Sequence, residues 1–503
     1  MEVSNLLGRG VKDSIALPNS IKRKTSGKIC IAYIPEKLEL EEKLAQTPPT
    51  FDSFLDHWYY LLGLLVELPI KSRDLVNSEG FVVINSEAIN KHIKGASKIL
   101  DYLWLNGILD RTNYTPGEKS RGYKYSSNYK GRYKEVKYRN NPYKPRKNRN
   151  TIKYHPLIES LDGFNSLIEF DEENALQWIA KQPERYRNRK GKICTFDRDR
   201  ERIVVRRYSE GIFAKCSFPD DFGDKRLYPQ WAICRGGYRH FLKFHGESFS
   251  QLDFSGSQLF LSRVLFAPDF YTNTSTGDKV CYWNLSQKVK NSTPEPINEL
   301  VKTNNSNSTP PPHFTHTTYT ASSYMFGKSS TTAMNTDVRK YIELVDNNQF
   351  YKFMVSELRK QQGYEDIKKP KAKRLIFTVL NSDTSKKNYY RDYTVPYKLW
   401  KTYFPTVIEY FESLKTKDHR NLNRTLSNIE AILVLERIVP RFIKEFPGIP
   451  IFPVHDCVMC PNSYMKRLEL IVKEETEIFI GTKPPYKIEE LRPENVCNLI
   501  PVK

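Results

Sequence analysis

The chain has 503 residues, enough for two or three domains with cores of their own. Its 79 Lys and Arg residues against 58 Asp and Glu residues give a net charge of +21, which favours a polyanionic partner but also fits an ordinary basic protein. The start MEVSNLLGRGVKDS lacks the apolar core of a signal peptide, the apolar stretch 58–70 is too short for a bilayer, and eight scattered cysteines form no disulfide framework, so we expect a cytoplasmic protein with no membrane partner.

Residues 51–127 are interpreted as a module that follows an N-terminal extension, residues 1–50. The apolar spacing predicts helices over 51–69 and 96–106, and two short strands follow around the turn at 115–118. This order resembles a winged helix-turn-helix, a module that binds DNA or serves as a protein–protein contact. We favour nucleic acid because the wing, which carries Lys119 and Arg121, is basic. The residues before the wing that would contribute to the contact are Lys91, Lys94 and Lys98.

Two segments lack a regular period. Residues 128–155 are basic, rich in Tyr and interrupted by Pro, which is typical of a linker and also suits a flexible grip on phosphates and bases. Residues 284–322, rich in Asn, Ser, Thr and Pro, are predicted to form a flexible insertion in the C-terminal part of the chain, residues 156–503.

The stretch SQLDFSGSQLFLSRVL, residues 250–265, predicts a strand that continues into a helix. Asp253 lies among large apolar residues at the end of the strand. Burying a carboxylate there is costly unless a partner compensates its charge. On this stretch alone two interpretations stay open: Asp253 caps the following helix, or it binds a metal ion.

The segment KKPKAKRLIFTVLNSD, residues 368–383, predicts a helix. Lys369, Lys373, Phe377 and Asn381 follow one another at intervals of four and form one stripe, on which a cation, an aromatic ring and an amide can hold triphosphate, base and sugar. Pro370 favours the first helical turn, so Lys369 is expected at the cap and Lys373 at the start of the stripe. A solvated basic helix is the alternative.

The segment FPGIPIFPVHDCVMCPNS, residues 446–463, predicts a β-hairpin with Asp456 at its tip. Two aspartates at strand ends, Asp253 and Asp456, are what a two-metal site for phosphoryl transfer requires. Magnesium suits such a site because it accepts one or two carboxylates together with phosphate oxygens.

The order of these elements resembles family A DNA polymerases and the single-subunit RNA polymerases over residues 220–480. Asp253-Phe254-Ser255 with Gln258-Leu259 is similar to motif A, the stripe that ends at Asn381 to motif B, and Val454-His455-Asp456 to motif C. Three further matches support the resemblance: the template-contacting segment 225–228, the arginine upstream of motif A, which is Arg239, and the helix 426–442 before motif C.

The resemblance implies a role for each of these residues. Asp253 and Asp456 would hold two magnesium ions, and Lys373 would contact the triphosphate and act as general acid toward pyrophosphate. Positions that bind the nucleotide would be Phe254, through its carbonyl, Gln258, Lys369, Phe377, which stacks on the base, and Asn381. Positions that bind primer or template would be Arg226, Arg239 and His455.

Several positions depart from the family pattern. Gln258 replaces a glutamate that excludes the 2′-hydroxyl, Asn381-Ser382 replace Tyr-Gly, and Lys369 replaces arginine. Cys457 stands where DNA polymerases have glutamate. The preference for deoxyribonucleotides or ribonucleotides therefore stays open.

The resemblance implies an α+β fold, a right-hand palm/fingers/thumb polymerase with an N-terminal winged-helix module, the thumb coming from roughly 155–215. We expect a DNA polymerase without a proofreading exonuclease, whose partners are a DNA primer-template, nucleoside triphosphates and, on one interpretation, RNA. Two alternatives stay open: an RNA polymerase or primase on the same scaffold, and a non-catalytic replication initiator that binds DNA.

Overall fold

The computed structural model describes most of the chain. The described residues are 16–71, 75–77, 79–85, 89–90, 93–113, 121–140, 156–188, 193–211, 227, 236–271, 279–293, 335–383, 391–454 and 456–501. Contacts between backbone segments divide the chain into two compact units. The first is Met1–Asn148, Glu172–Glu210 and Cys497–Lys503, and the second is Arg149–Asp171 and Gly211–Val496.

The strands are short and most of them pair antiparallel. In chain order they are β1 (Ile21–Lys22), β2 (Lys28–Pro35), β3 (Ser53–Phe54), β4 (Val82–Val83), β5 (Leu109–Arg111), β6 (Gly122–Tyr125), β7 (Tyr133–Asn140), β8 (Glu169–Phe170), β9 (Arg185–Arg187), β10 (Ile193–Thr195), β11 (Leu242–Phe244), β12 (Glu247–Phe254), β13 (Phe452–Val454), β14 (Cys457–Pro461), β15 (Tyr486–Leu491) and β16 (Ile500–Pro501).

The chain also has helices, and the mixture of helices with mostly antiparallel sheets fits the predicted α+β class. In chain order they are α1 (Leu40–Gln46), α2 (Leu55–Lys71), α3 (Ala96–Leu105), α4 (Pro156–Asn165), α5 (Glu172–Lys181), α6 (Arg198–Ser209), α7 (Ser257–Ser262), α8 (Gln287–Ser292), α9 (Thr336–Asp346), α10 (Phe350–Arg359), α11 (Lys369–Asn381), α12 (Arg391–Tyr403), α13 (Pro405–Leu414), α14 (Asn421–Ala431), α15 (Val439–Glu445) and α16 (Met465–Ile480).

The first unit is built around α2 and a ribbon of β2 and β7, which pair antiparallel over eight residues. Helix and ribbon approach closely at Gly63, where an added Cβ would lie 2.8 Å from the Cβ of Ala32. The predicted linker is therefore wrong for Tyr133–Asn140, which form β7; residues 141–155 lie outside the described part. Leu38, Leu40 and Leu44, which belong to the predicted N-terminal extension 1–50, are buried in the core of this unit.

A three-stranded sheet with the order β4-β6-β5 completes this core. Trp58 of α2 is fully buried and lies edge-on to Tyr102 of α3 at 5.0 Å between ring centroids. The two predicted helices are present as α2 and α3, with bounds that differ by up to four residues. The strands β5 and β6 pair as predicted for the hairpin, whereas the wing tip, with Lys119, and also Lys91 lie outside the described residues.

Residues 172–210 pack with the first unit, although the sequence analysis grouped them with the polymerase-like part. Their helix α6 joins α2 through a bidentate pair between the Arg207 guanidinium and the Glu67 carboxylate. The strands β10, β9 and β16 form a sheet within the same unit. The proposed thumb segment, 155–215, is thus divided between the two units.

The second unit contains a six-stranded sheet in which β12 lies at the centre, flanked by β14 on one side and β15 on the other. The buried side chains Leu252 and Phe254 of β12 alternate with the less buried Gln251 and Asp253, because successive side chains of a strand point to opposite faces.

Within the described part of the chain, no helix is both long and apolar enough to cross a bilayer.

Candidate active site

Asp253 and Asp456 lie at adjacent strand ends. Asp253 is the penultimate residue of β12 and is the pairing partner of Cys457 in β14. The hairpin β13–β14 pairs Val454 with Cys457, so Asp456 belongs to a two-residue tip. The backbone N–H of Phe254 donates to the carbonyl of Asp456 at 3.1 Å. The predicted hairpin is confirmed, and its register brings both aspartates to one end of the sheet.

Apolar burial fixes this register. Leu252 and Val458 pair across β12 and β14, and both are fully buried. Each contributes about 1.5–3 kcal/mol of stability by leaving water. A slip of one residue would turn Leu252 outward and place the Asp253 carboxylate in the core. The position of Asp253 therefore follows from the burial of its neighbours.

Asp253 does not cap the helix that follows. The residue at the N-cap of α7 is Gly256, in the left-handed conformation at φ 66°, and no side chain caps the helix. This conformation favours glycine because glycine carries no Cβ. The capping interpretation of Asp253 is wrong, which leaves the metal-binding interpretation for this carboxylate.

The electrostatic environment of Asp253 fits a cation site. Burial raises the pKa of the Asp253 carboxyl, the negative charge of Asp456 raises it further, and the positive charge of Lys487 opposes them. A divalent cation between two such carboxylates would relieve this repulsion. The Ser257 hydroxyl lies 3.5 Å from the Asp456 carboxylate and donates a long hydrogen bond to it.

The donor set is typical of magnesium rather than of structural zinc. Among the described residues no cluster of three or more His, Cys, Asp or Glu side chains is found. Magnesium takes one or two carboxylates and completes its shell with carbonyl, water and phosphate oxygens. Asp253, Asp456 and the Phe254 carbonyl fit that pattern.

The predicted stripe lies on α11. The helix begins at Lys369 with Pro370 in its first turn, and Lys368 is the N-cap residue, at φ −67° and ψ 136°. The expectation that Lys369 sits at the cap is therefore off by one residue. Ala372, Leu375, Ile376, Val379 and Leu380 of this helix are buried. Their burial fixes the face that α11 presents at the site.

One cavity of about 450 Å³ joins the strand ends to this helix. Its lining includes Asp253, Phe254, Asp456, Lys369 and Lys373, so the structure brings five predicted site residues together. The full lining is Asp253, Phe254, Ser255, Gly256, Asn348, Gln349, Tyr351, Lys352, Lys369, Lys373, Asp456 and Lys487. Four lysines against two aspartates leave the cavity net positive, which favours a polyanionic ligand.

Sequence reasoning missed three functional candidates in this cavity, Tyr351, Lys352 and Lys487. Lys487 pairs with Asp253 in the register of β12 and β15, although 234 positions separate them. A lysine in a C-terminal strand carries no sequence signal of such pairing. Tyr351 and Lys352 lie in the first turn of α10, where the apolar period indicates only a helix.

Lys373 lies over an aromatic ring. Its ammonium nitrogen is 4.7 Å from the centroid of the Tyr351 ring, a cation–π contact. Burial lowers the pKa of Lys373, and the charges of Lys369 and Lys487 lower it further. A lysine with a lowered pKa loses a proton more readily than a free one, which suits proton donation to a leaving group.

A second cavity of about 330 Å³ adjoins the first and shares Tyr351, Gly256 and Asp456 with it. Phe377 and Gln258, both predicted to contact the nucleotide, lie in its wall. The full lining is Gly256, Ser257, Gln258, Leu259, Tyr351, Phe377, Glu430 and Asp456. Glu430 is buried at the end of α14 and was missed by the sequence analysis.

Asn381 is not among the lining residues of either cavity. Its amide oxygen accepts a hydrogen bond of 2.8 Å from the Nδ2 of Asn423 in α14, and its own Nδ2 lies 3.5 Å from the carbonyl of Phe377. The structure therefore places Asn381 in a contact between two helices. The stripe reaches the cavities only as far as Phe377.

The helix predicted over 426–442 is present and longer than expected. It runs as α14, a π-helical segment over Ile432–Ile438, and α15. A π-helical segment is rare and widens the helix locally, often at functional sites. This one begins two residues after Glu430.

The remaining predicted residues lie elsewhere or outside the described part. Arg239 lies in a 3₁₀ helix just before β11, and its Nε is buried without a hydrogen-bond partner among the described residues. Burial raises the pKa of Cys457 to about 12, and the positive charge of Arg239 opposes this rise. Arg226 and His455 fall outside the described residues.

Comparison with known proteins gives little. No protein-family model and no curated protein matches the chain. Among solved structures, the chain is similar to the POL domain of Pol1 from M. smegmatis in complex with DNA primer-template and dNTP. The identity is 10% and the TM-score is 0.28, over 67% of this chain and 69% of that one. A likeness at this level carries no argument, so the functional conclusion depends on the site itself.

Proposed function

We propose that the chain is a template-dependent nucleotidyltransferase, a DNA polymerase that uses two magnesium ions. One observation carries the proposal: Asp253 and Asp456 at strand ends share a cavity with Lys369 and Lys373 at the start of a helix. A structural sheet has no need to place two carboxylates at its strand ends facing a helical lysine pair. The arrangement suits phosphoryl transfer, in which positioning and charge stabilisation supply most of the catalysis.

The two aspartates and the Phe254 carbonyl would hold the metal ions. Bound there, magnesium supplies positive charge that activates the attacking 3′-hydroxyl and stabilises the leaving pyrophosphate. The lysines of the cavity neutralise the remaining charge of the triphosphate, and the first turn of α11 adds the positive end of the helix dipole.

Residues of the two cavities and Arg239 would each contact a different part of the substrate. Lys369 and Lys373 bind the triphosphate, and Lys373 donates a proton to the departing pyrophosphate as general acid. Phe377 and Gln258, in the adjoining cavity, contact the base and the sugar. Arg239, whose guanidinium Nε is buried without a hydrogen-bond partner among the described residues, is assigned to the template strand.

The first unit is proposed to bind the nucleic acid through its winged-helix-like part. On α3 the exposed side chains include Lys98 and Trp104, and the Arg111 guanidinium lies 3.5 Å from the centroid of the Trp104 ring. An exposed ring with a cation on its face suits contact with bases and phosphates.

A ribonucleotide polymerase on the same scaffold is the second candidate. The observation that favours it concerns Asn381, which the family pattern places beside the sugar but which bonds to Asn423 instead. Asn381, the residue expected to lie beside the sugar, therefore lines neither cavity.

Four primer-templates that differ only in the templating base test the proposal. Each should direct addition of its complementary nucleotide in the presence of magnesium. Addition of the same nucleotide on all four would indicate template-independent transfer, and no addition with tight DNA binding would favour a non-catalytic initiator.

A further inference from the structure

Tyr351 is the aromatic side chain that lines both cavities of the candidate site. It belongs to the first turn of α10, a helix that none of the recognised motifs includes. A residue shared by a phosphate-binding cavity and a base-binding cavity lies where the two halves of a nucleotide would meet. Its contacts therefore bear on how the nucleotide is held.

Two parts of the site contact the Tyr351 ring from different directions. The Lys373 ammonium lies 4.7 Å from the ring centroid. At the turn after Asp253, a Cβ added to Gly256 would lie 3.5 Å from Cε2 of Tyr351, in van der Waals contact. The ring thus sits between the triphosphate-binding helix and the strand end that carries a metal ligand.

The ring has a firm support. Its neighbour Phe350 is buried and packs against Tyr341 and Trp400, at 5.3 Å and 5.0 Å between ring centroids. This aromatic cluster fixes the start of α10. A tyrosine hydroxyl is neutral at physiological pH, and burial raises the pKa of Tyr351 further, to about 12, so the ring carries no charge that would repel a phosphate.

We infer that Tyr351 is a positioning residue for the incoming nucleoside triphosphate: its ring holds the Lys373 ammonium at the wall of the cavity, aimed at the phosphates. This inference rests on the proposed function. A lysine side chain has four rotatable bonds, and a contact that restricts it lowers the entropic cost of binding the ligand. The aromatic face supplies that contact without competing with the phosphate for the ammonium, as a carboxylate would.

A matched contact elsewhere on the same helix provides the control. The Lys340 ammonium lies 4.5 Å from the centroid of the Phe353 ring, and Phe353 lines neither cavity. Phe353→Leu therefore removes a cation–π contact from α10 without touching the site. Tyr351→Phe keeps the ring and removes the hydroxyl, while Tyr351→Leu removes the ring.

The experiment measures kcat and KM for the nucleotide at saturating primer-template in these variants. We expect Tyr351→Leu to raise KM by about 10-fold with a smaller change in kcat, and Tyr351→Phe and Phe353→Leu to stay within about 3-fold of the parent. In a Lys373→Gln background, Tyr351→Leu should add less than about 3-fold, since the contact is already lost.

Three results would overturn the inference. They are an unchanged KM in Tyr351→Leu, a full 10-fold effect that persists without Lys373, and a rise of KM above about 10-fold in Tyr351→Phe. The last variant decides the matter if the leucine variant does not fold. A parent protein that adds no nucleotide would overturn the proposed function itself. An active parent with an unaffected Tyr351→Leu variant would overturn only the role of Tyr351.

Discussion

The two halves of the candidate site are positioned by different means. The carboxylates Asp253 and Asp456 are held by strand register, with Asp253 paired to Cys457 across the sheet. The stripe on α11 is held by packing of one helix face against its neighbours, and that packing decides how far along the helix the stripe faces the cavity. Backbone pairing and the burial of neighbouring residues place Asp253 and Asp456, whereas the orientation of α11 depends on how the helix packs against other elements.

The sharpest test of the strand-borne half is removal of a carboxylate. Asp253→Asn or Asp456→Asn should lower the rate of nucleotide addition by at least about 1,000-fold, because the metal ions lose an anionic ligand, and should leave duplex affinity within about 3-fold. The matched control is Glu489→Gln, which alters an acid of β15 that bonds to Gln251 at 2.8 Å and lines neither cavity. Undiminished addition by either aspartate variant would refute the two-metal assignment.

The helix-borne half should respond more weakly. Lys373→Gln is expected to lower kcat/KM for the nucleotide by about 10–100-fold, the size of one lost charge-assisted contact, with template affinity unchanged. Lys371→Gln, on the exposed side of the same turn, is the control. If template binding collapsed while turnover held, α11 would be a nucleic-acid contact and not a triphosphate site.

Asn381, at the far end of the stripe, should contribute to stability and not to nucleotide binding. Asn381→Ala removes the hydrogen bond from Asn423 and is expected to lower the free energy of unfolding by about 1 kcal/mol, with KM for the nucleotide within about 3-fold. Chemical denaturation together with steady-state kinetics measures both quantities. A large change in KM without a loss of stability would return Asn381 to the binding site.

The smallest effect is expected at Cys457, the residue after Asp456. Burial raises the pKa of Cys457 to about 12, so below about pH 10 it stays a neutral thiol, and its Sγ lies 3.0 Å from the carbonyl of Val454. Cys457→Ala should keep activity within about 3-fold at pH 7 and at pH 9. A strong loss, or one that appears only at high pH, would show that the thiolate takes part.

The parts of the site that could be predicted from sequence are those with a clear local pattern. The hairpin around Asp456 has an alternating pattern and a turn, the strand that carries Asp253 near its end has an alternating pattern, and each is specified locally. The start of α11 was predicted to within one residue from Pro370. These are the features in which local sequence and final position coincide.

The missed residues have positions that depend on distant pairing. Lys487 faces the site because β15 pairs with β12, and Tyr351 does so because α10 packs beside α11; neither neighbour is visible in the local pattern. The same holds in the first unit, where the basic, Tyr-rich segment at 133–140 forms a strand because β2 offers eight pairing partners. Polar composition predicted a linker there, and tertiary pairing overrode it.

The most direct test of the account is extension of a labelled primer on a DNA template with magnesium, with deoxyribonucleotides and ribonucleotides in separate reactions and Asp456→Ala beside the parent. We expect templated extension by the parent with deoxyribonucleotides. This extension should be lost in the variant, while both proteins bind the duplex equally. Extension with ribonucleotides alone would select the second candidate. Equal extension by parent and variant, or none by the parent with tight DNA binding intact, would contradict the proposed active site.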